Sequence, residues 1–256
     1  MRKATLFLSF ALVLVLGACS NPFAPKTETP PEDTVGGGGP APLATTPEQV
    51  VANLERAFQD RDKDLYETLL DIGFWFTETD CNGELIFSND LEVELEIMGS
   101  RDGSSRGIFD IFRTVEFDFT LPEDGRKQEF GFEYPKAFET DPDGHPDEDW
   151  EVFEGRVQIL LLENDNDGFR VDQTMTYKMR LLSQEELQDS EIVPELTDAE
   201  RTELAANNQS IWRMRRWDDN ALAGGNDCVD IETEETSKPI SGIKTIPWSA
   251  LKAHLQ

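Results

Sequence analysis

General acid–base catalysis would require a histidine or a carboxylate beside an apolar pocket, and the chain offers few such residues. It has two histidines. His145 lies in the polar stretch Asp-Pro-Asp-Gly-His-Pro-Asp, and His254 lies close to the last residue. Neither falls on a predicted core strand. Histidine catalysis, including Ser-His-Asp and Cys-His arrangements, is therefore not predicted.

The carboxylates of the predicted strands point away from the apolar side. Successive side chains of a strand face opposite sides of the sheet. This alternation places four acidic residues opposite the valine, isoleucine and phenylalanine positions: Glu116, Asp118, Glu154 and Asp172. A base whose pKa is raised by burial needs the other face. Asp110, with isoleucine and phenylalanine on both sides, is the one acidic residue retained as a weak candidate catalytic base.

A few aromatic and polar residues are placed to meet a ligand. The alternation puts Tyr134, Gln173 and Tyr177 on the apolar side of their strands, Tyr66 lies on a predicted helix, and Trp75 lies in the first predicted strand. These five form the predicted ligand pocket. The alternative is that they are core side chains whose polar atoms are satisfied by the backbone.

No cofactor or metal is predicted. Residues 163–168 resemble the first half of an EF-hand loop, but such a loop needs Asp first and Glu at position twelve, where this chain has Glu163 and Thr174. The acidic loop 139–151 could hold calcium loosely, so a surface calcium-binding protein stays as an alternative. No glycine-rich phosphate loop follows a strand, which leaves nucleotide binding unsupported.

The composition describes an acidic protein with a real core. The net charge is −29 over 256 residues, with the acidic residues spread over many segments. Such a surface repels nucleic acid, so nucleic-acid partners are not expected. Sixteen phenylalanines and five tryptophans argue against disorder, because they can bury a sizeable core.

The start of the chain resembles the signal of a bacterial lipoprotein. Arg2 and Lys3 precede an apolar run, which ends in Leu-Gly-Ala before Cys19. The resemblance implies a signal peptide at 1–18, cleavage before Cys19 and lipid on that cysteine. The expected location is the cell envelope, with the lipid on Cys19 as the contact to the membrane. Ser20, where an Asp would favour the inner membrane, suggests the outer membrane, with the protein facing the periplasm or the exterior.

Two further cysteines remain once Cys19 carries lipid. In an oxidising compartment Cys81 and Cys228 could form one disulfide, which would close a loop of about 150 residues. The alternative is two unrelated thiols. No Cys-x-x-Cys pair exists, so zinc and thioredoxin-like chemistry are not predicted.

The order of predicted elements is helix, helix, strand, an ambiguous segment and then a β-rich region. Residues 19–46 are rich in proline and glycine and read as a disordered tether. Thr46 is a suitable N-cap, with Gln49 completing a capping box. Residues 91–97 fit a strand or a helix. Later strands are predicted at 114–120, at Phe130 to Tyr134, and at 153–162 and 169–182, the last two joined by a turn at 164–168.

This order resembles the nuclear transport factor 2-like (SnoaL-like) cone domain. Residues 50–58, 65–70 and 74–76 look like the opening of such domains in bacterial lipoproteins, and residues 212–218 look like their final strand. The resemblance implies an α+β fold, with N-terminal helices packed on a curved antiparallel sheet, over a single domain at 47–256. It also favours a helix for 90–99. A β-rich, barrel-like lipoprotein domain is the alternative.

The expected function is a lipid-anchored extracytoplasmic binding or scaffold protein, whose partner is a small apolar ligand or an envelope protein. An aromatic inner face, the absence of a core histidine and the outward carboxylates favour this over an enzyme. The enzyme alternative is a SnoaL-like isomerase or hydrolase acting on a small apolar substrate inside the cone, with Asp110 as base. We expect the cone to be filled or narrowly open, with no buried acid other than Asp110.

Overall fold

The structure is a computed structural model that describes residues 40–79, 85–99, 104, 106–139, 141, 143–220 and 242–255. The predicted signal peptide, most of the predicted tether and the three cysteines Cys19, Cys81 and Cys228 lie outside these residues. Ala41–Gln256 forms one compact unit. No helix in the described ranges is both long and apolar enough to cross a membrane.

The described residues form seven α-helices and eight strands, and they begin with the predicted order of two helices and a strand. The helices are α1 (Pro47–Asp60), α2 (Lys63–Leu69), α3 (Leu91–Met98), α4 (Ile108–Ile111), α5 (Gln184–Gln188), α6 (Asp198–Ala206) and α7 (Trp248–Leu255). The strands are β1 (Leu70–Thr79), β2 (Leu85–Asp90), β3 (Thr114–Thr120), β4 (Arg126–Glu129), β5 (Trp150–Leu162), β6 (Asp167–Leu181), β7 (Trp212–Asn220) and β8 (Gly242–Thr245).

The first two helices begin at the caps that the sequence indicates. The hydroxyl of Thr46 accepts a hydrogen bond from the Gln49 amide at 3.2 Å, and the carboxylate of Asp62 caps α2 in the same way. The predicted capping box is incomplete: the Gln49 side chain, which would accept the Thr46 amide in such a box, donates to Asn53 Oδ1 at 3.1 Å. Helix α1 ends at Asp60 and is capped by Arg61, whose φ of 54° is left-handed.

The predicted fold class, α+β with helices packed on a curved and unclosed sheet, is confirmed. The strand order is β2-β1-β7-β6-β5-β3, with β4 also paired to β5 and β8 to β6. The β1–β7 and β6–β8 pairs are parallel, and the other pairs are antiparallel. This arrangement is consistent with a nuclear transport factor 2-like cone, and an open sheet does not fit the barrel alternative.

The long central hairpin is confirmed, whereas one predicted strand is wrong. Strands β5 and β6 pair from Trp150↔Arg180 to Leu162↔Gly168, and the Asn164 side chain accepts two backbone amides in the turn. The predicted strand from Phe130 to Tyr134 is instead a single 3-10 turn over Gly131–Glu133. Its alternating aromatic residues do not face a core, since Phe132 is 77% exposed.

Two apolar clusters make up the core. The larger one fills the space between the helices and one face of the sheet, which we call the inner face. The smaller one holds the segment after β6 in place through Leu182, Leu187, Val193, Leu196, Leu204 and Ile211.

Candidate functional site

The inner face carries aromatic and acidic side chains in successive rows across three strands. In the register of β1, β7 and β6, Phe76 pairs with Trp217 and Trp217 with Tyr177. Two residues further along β1 and β7, Glu78 pairs with Asp219. Because side chains two residues apart on a strand share a face, both acids lie on the aromatic side. The inner face therefore combines ring surfaces with carboxylates.

Helix α7 occupies the space in front of these rows. The indole of Trp248 lies 5.9 Å from the ring of Phe58 in α1 and 6.1 Å from that of Trp217 in β7. Trp248, Leu251 and Lys252 are all buried. The interior between the helices and the sheet is thus filled by a helix of the chain itself.

Lys252 ends in a cage of one carboxylate and aromatic rings. Its Nζ lies 2.8 Å and 2.6 Å from the two carboxylate oxygens of Glu94. The same nitrogen lies 3.6 Å from the ring centre of Phe76, 4.9 Å from that of Trp217 and 5.4 Å from that of Trp248. These are cation–π distances. Neither Lys252 nor Glu94 has any exposed side-chain surface.

Two further side chains hold Glu94 in place. The Tyr66 hydroxyl donates to Glu94 Oε1 at 2.6 Å, and the Asn89 amide donates to Oε2 at 2.6 Å. Burial raises the pKa of Tyr66 well above its usual value, and the adjacent Glu94 carboxylate adds to the rise. Burial alone lowers the pKa of Lys252, and Glu94 opposes that shift. The carboxylate therefore has its hydrogen-bond donors and its counter-ion supplied from within the fold.

Asp219 is the second buried acid of the interior. It accepts hydrogen bonds from the Gln173 side chain and from the Ser249 amide at 3.3 Å. Burial raises the pKa of Asp219 to about 7, and Glu78 adds to the rise, while the Ser249 amide and Lys252 oppose it. Burial likewise raises the pKa of Glu78. Asp219 has the pKa of a general base at neutral pH, but α7 covers it.

The predicted pocket residues fall into two groups. Tyr66, Gln173 and Tyr177 do lie around α7: Gln173 accepts the Trp248 amide at 3.1 Å, and Tyr177 stands edge-on to Trp217 at 5.0 Å. Trp75 and Tyr134 do not line this interior. Trp75 lies on the opposite face of β1 from the buried Phe76, and it is half-buried there. A single strand cannot present adjacent residues to one face.

Tyr134 belongs to a separate aromatic stack. Its ring lies 4.8 Å from the ring of His145, which in turn lies 3.7 Å from Trp150. The loop histidine is thus buried, contrary to its polar sequence surroundings. Its Nδ1 donates to the Glu148 carbonyl at 2.8 Å, and its Nε2 lies 3.4 Å from Glu129 without hydrogen-bond geometry. This arrangement fixes the loop before β5. The side chain of His254 lies outside the described residues.

Asp110 lies at the surface and not in the interior. Its carboxylate pairs with Lys63 Nζ at 2.6 Å and caps its own short helix through the Gly107 amide. Although desolvation opposes the shift, the hydrogen bonds from Lys63 and Gly107 lower the pKa of Asp110. The expectation of Asp110 as the single buried acid is therefore corrected. Four other acidic residues are buried in the described ranges: Asp71, Glu78, Glu94 and Asp219.

The buried charges were missed although the sequence carries a signal for them. Once 91–98 is a helix, Glu94 shares the face of Leu91, Leu95 and Met98 by its spacing. Leu251 and Lys252 lie three and four residues after Trp248, so the three residues share one face of α7. This spacing marks one acid and one base as polar residues on the apolar faces of two helices, and the fold shows that they pair.

Asp71 is the centre of a second buried charge network. Its carboxylate accepts from Arg180 Nε at 2.7 Å and from Arg215 Nη1 at 2.6 Å. Arg180 continues to Glu186 in α5 at 2.7 Å. The hydrogen bonds from Arg180 and Ser183 outweigh desolvation and lower the pKa of Glu186 to about 2. The network fastens the segment after β6 to the sheet.

The acidic loop 139–151 engages donors of the protein itself. Asp141 accepts the amides of Ala137 and Asp143, Asp143 pairs with Arg216 at 2.8 Å, and Asp149 accepts an amide at 2.9 Å. In the part of the chain that the structure describes, no group of three or more His, Cys, Asp or Glu side chains is arranged to hold a metal.

Comparison with known proteins adds a fold likeness only. No protein-family model matches the chain, and no curated protein matches its sequence. A crystal structure of an NTF2-like protein of unknown function in nutrient uptake from Rhodospirillum rubrum is similar, with a TM-score of 0.31 and 11% sequence identity over 68% of this chain and 95% of that chain. The likeness carries no argument about what this chain binds.

Proposed function

We propose that this chain is a lipid-anchored extracytoplasmic binding protein and not an enzyme. The observation that carries the proposal is the interior closed around Lys252. Glu94, which has no exposed side-chain surface, already has a counter-ion and two hydrogen-bond donors. A catalytic base must reach a proton of its substrate. A carboxylate whose oxygens are already hydrogen-bonded and which has no exposed surface is not available to take that proton, and this favours a binding role over catalysis.

The anchor is supported by the sequence alone. Arg2, Lys3, the apolar run and the small residues before Cys19 match the order of a lipoprotein signal. A single acyl chain binds membranes reversibly, whereas two or more hold a protein stably. The resemblance to bacterial lipoproteins implies a diacylglyceryl group and an acyl chain on Cys19, and these would keep the domain at the membrane permanently.

Membrane fractionation of the native host tests the proposal. The wild-type chain should appear in the membrane fraction as a processed, lipid-modified form, and Cys19→Ala should appear as a soluble or unprocessed form. Ser20→Ala is the matched control and should remain membrane-bound. Normal processing and membrane retention of Cys19→Ala would refute the anchor.

The enzyme alternative has its own test. An isomerase or hydrolase would turn over a small apolar substrate, and its rate would depend on Asp110 or Asp219. Specific turnover abolished by Asp110→Asn or Asp219→Asn, with the fold intact, would overturn the binding assignment. We expect neither variant to remove a specific activity, because Asp110 is an exposed helix cap and Asp219 is covered by α7.

A further inference from the structure

The cage around the Lys252 ammonium is built mainly by the rest of the domain. We use the term ammonium cage for Glu94, Phe76 and Trp217, which come from α3, β1 and β7. Tyr66 and Asn89 position its carboxylate. The Lys252 ammonium group occupies this cage, and Trp248 from the same helix adds one further ring.

We propose that the ammonium cage is a binding site for a primary alkylammonium ion and that Lys252 occupies it as an internal guest when no such ion is bound. This inference deepens the proposed function, because it names the ligand class of the binding protein, and it rests on that function.

The chemistry of the cage selects cations. A buried carboxylate without a counter-ion is strongly destabilising, so the site must be filled by a positive charge whenever Glu94 is ionised. Two aromatic faces at 3.6 Å and 4.9 Å from the nitrogen attract the same charge. A neutral ligand would satisfy neither group. The interior is also rich in acids, since Glu78 and Asp219 lie on the same face.

The distances select a primary ammonium over a quaternary one. Both oxygens of Glu94 receive an N–H from the same nitrogen, and a quaternary nitrogen has no N–H to donate. The nitrogen also lies only 3.6 Å from the ring centre of Phe76. Carbon atoms pack at about 3.5–4.0 Å, so N-methyl groups would hold the nitrogen farther from the ring. The guest that fits is an –NH₃⁺ group on an apolar stem, as Lys252 is.

Calorimetric titration of the full chain tests the proposal. The probes are n-butylammonium, tetramethylammonium and n-butanol at constant ionic strength, and the proteins are wild type, Lys252→Ala and the double variant Glu94→Gln/Lys252→Ala. We expect Lys252→Ala to bind n-butylammonium at least tenfold more tightly than wild type does, because the internal competitor is gone. Lys252→Ala should bind tetramethylammonium and n-butanol at least tenfold more weakly than n-butylammonium. The double variant should bind n-butylammonium at least tenfold more weakly than Lys252→Ala does.

Two results would overturn the assignment. Equal binding of n-butanol and n-butylammonium by Lys252→Ala would describe an apolar cavity, and unchanged affinity in the double variant would exclude Glu94 as the recognising group. If Lys252→Ala does not fold, the wild-type chain decides: saturable binding of n-butylammonium but not of n-butanol supports the site, and no binding refutes it. A protein that is membrane-bound through Cys19 and lacks turnover, yet binds no ammonium ion, would refute this inference and leave the proposed function standing.

Discussion

The ammonium nitrogen of Lys252 lies within 2.8 Å of both carboxylate oxygens of Glu94, although 158 residues separate the two in sequence. Neither side chain is exposed. The pair joins α7 to α3 in the interior of the domain. Because both charges are withdrawn from water, the pair is far more sensitive to loss of one partner than a surface pair is.

Removing either partner should destabilise the domain strongly. Lys252→Met or Glu94→Gln leaves one buried charge without its counter-ion, at a cost of about 3–5 kcal/mol. The double variant Glu94→Gln/Lys252→Met removes both charges and should cost less than the sum of the single changes. Urea unfolding followed by tryptophan fluorescence measures each value.

A surface pair is the matched control for this cycle. The side chains of Arg113 and Asp165 are 72% and 85% exposed, so Arg113→Ala should change the free energy of unfolding by no more than about 0.5 kcal/mol. If the two interior single variants were as mild as the control, the assignment of Glu94–Lys252 as a buried ion pair would be wrong.

Asp219 should make the protein less stable as the pH rises towards neutrality. Its pKa is raised from 3.8 to about 7 in the folded state, so between these values the folded state holds a proton that the unfolded state has released. The stabilising contribution is fully present below pH 3.8 and is lost as the pH rises through 7. Asp219→Asn removes this titration. The free energy of unfolding of the variant, taken relative to that of wild type, should therefore increase from pH 5 to pH 8 by a few kcal/mol at most.

Asp172 provides a control of opposite sign. Its hydrogen bond from Arg156 lowers the pKa of this exposed carboxylate, so its contribution is present above its unfolded pKa and is lost as the pH falls through the lower folded pKa. Asp172→Asn should therefore show the same difference in the free energy of unfolding between pH 5 and pH 8 as wild type does. Denaturant unfolding at both pH values distinguishes the variants, and equal pH slopes for wild type and Asp219→Asn would contradict the prediction.

Gly73 keeps space for the Arg215 guanidinium beside Asp71. A Cβ at this position would lie 1.4 Å from Arg215 Nη1, and the φ of Gly73 is not positive, so alanine fits the backbone itself. Gly73→Ala should push Arg215 off Asp71 and cost about 1.5–3 kcal/mol, the value of a hydrogen bond to a charged group. In an Arg215→Ala background the same change should cost much less. Equal costs in both backgrounds, measured by thermal unfolding, would locate the strain elsewhere.

Cys81 and Cys228 are predicted to be bridged in the exported protein. Peptide mapping by mass spectrometry without reduction should find the two cysteines in one linked peptide pair, because the expected compartment is oxidising. Free thiols on both residues in the exported protein would refute the disulfide. Cys81→Ser should then destabilise the protein by about as much as Cys228→Ser, since either change opens the same loop.

Local signals in the sequence were sufficient for most of the helices and strands. The caps Thr46 and Asp62 begin helices because their oxygens accept orphan amides of the first turn, an interaction that spans three residues. The turn at Asn164 is equally local. The strand predicted from Phe130 to Tyr134 is wrong because alternation of aromatic residues identifies a strand only where one side is buried.

The charged interior could not be read from the strands alone. Alternation predicts that Glu116, Asp118, Glu154 and Asp172 face away from the core, and none of the four is among the buried acids. Asp219 shares the face of Trp217, but its burial depends on α7 reaching the inner face. That contact is tertiary, and so is the pairing of Glu94 with a lysine far along the chain. The sequence could indicate polar residues on apolar faces, whereas their partners required the fold.

The position of α7 in the chain also determines how long after Glu94 its partner Lys252 is synthesised. Glu94 is made 158 residues before Lys252, which at about 5–20 residues per second corresponds to on the order of ten seconds of translation. During this interval the interior has no cation for its carboxylate and no Trp248 against its rings. The contacts that Lys252 makes with Glu94, Phe76 and Trp217 can therefore form only after this delay, which makes closure of the interior a late step of folding.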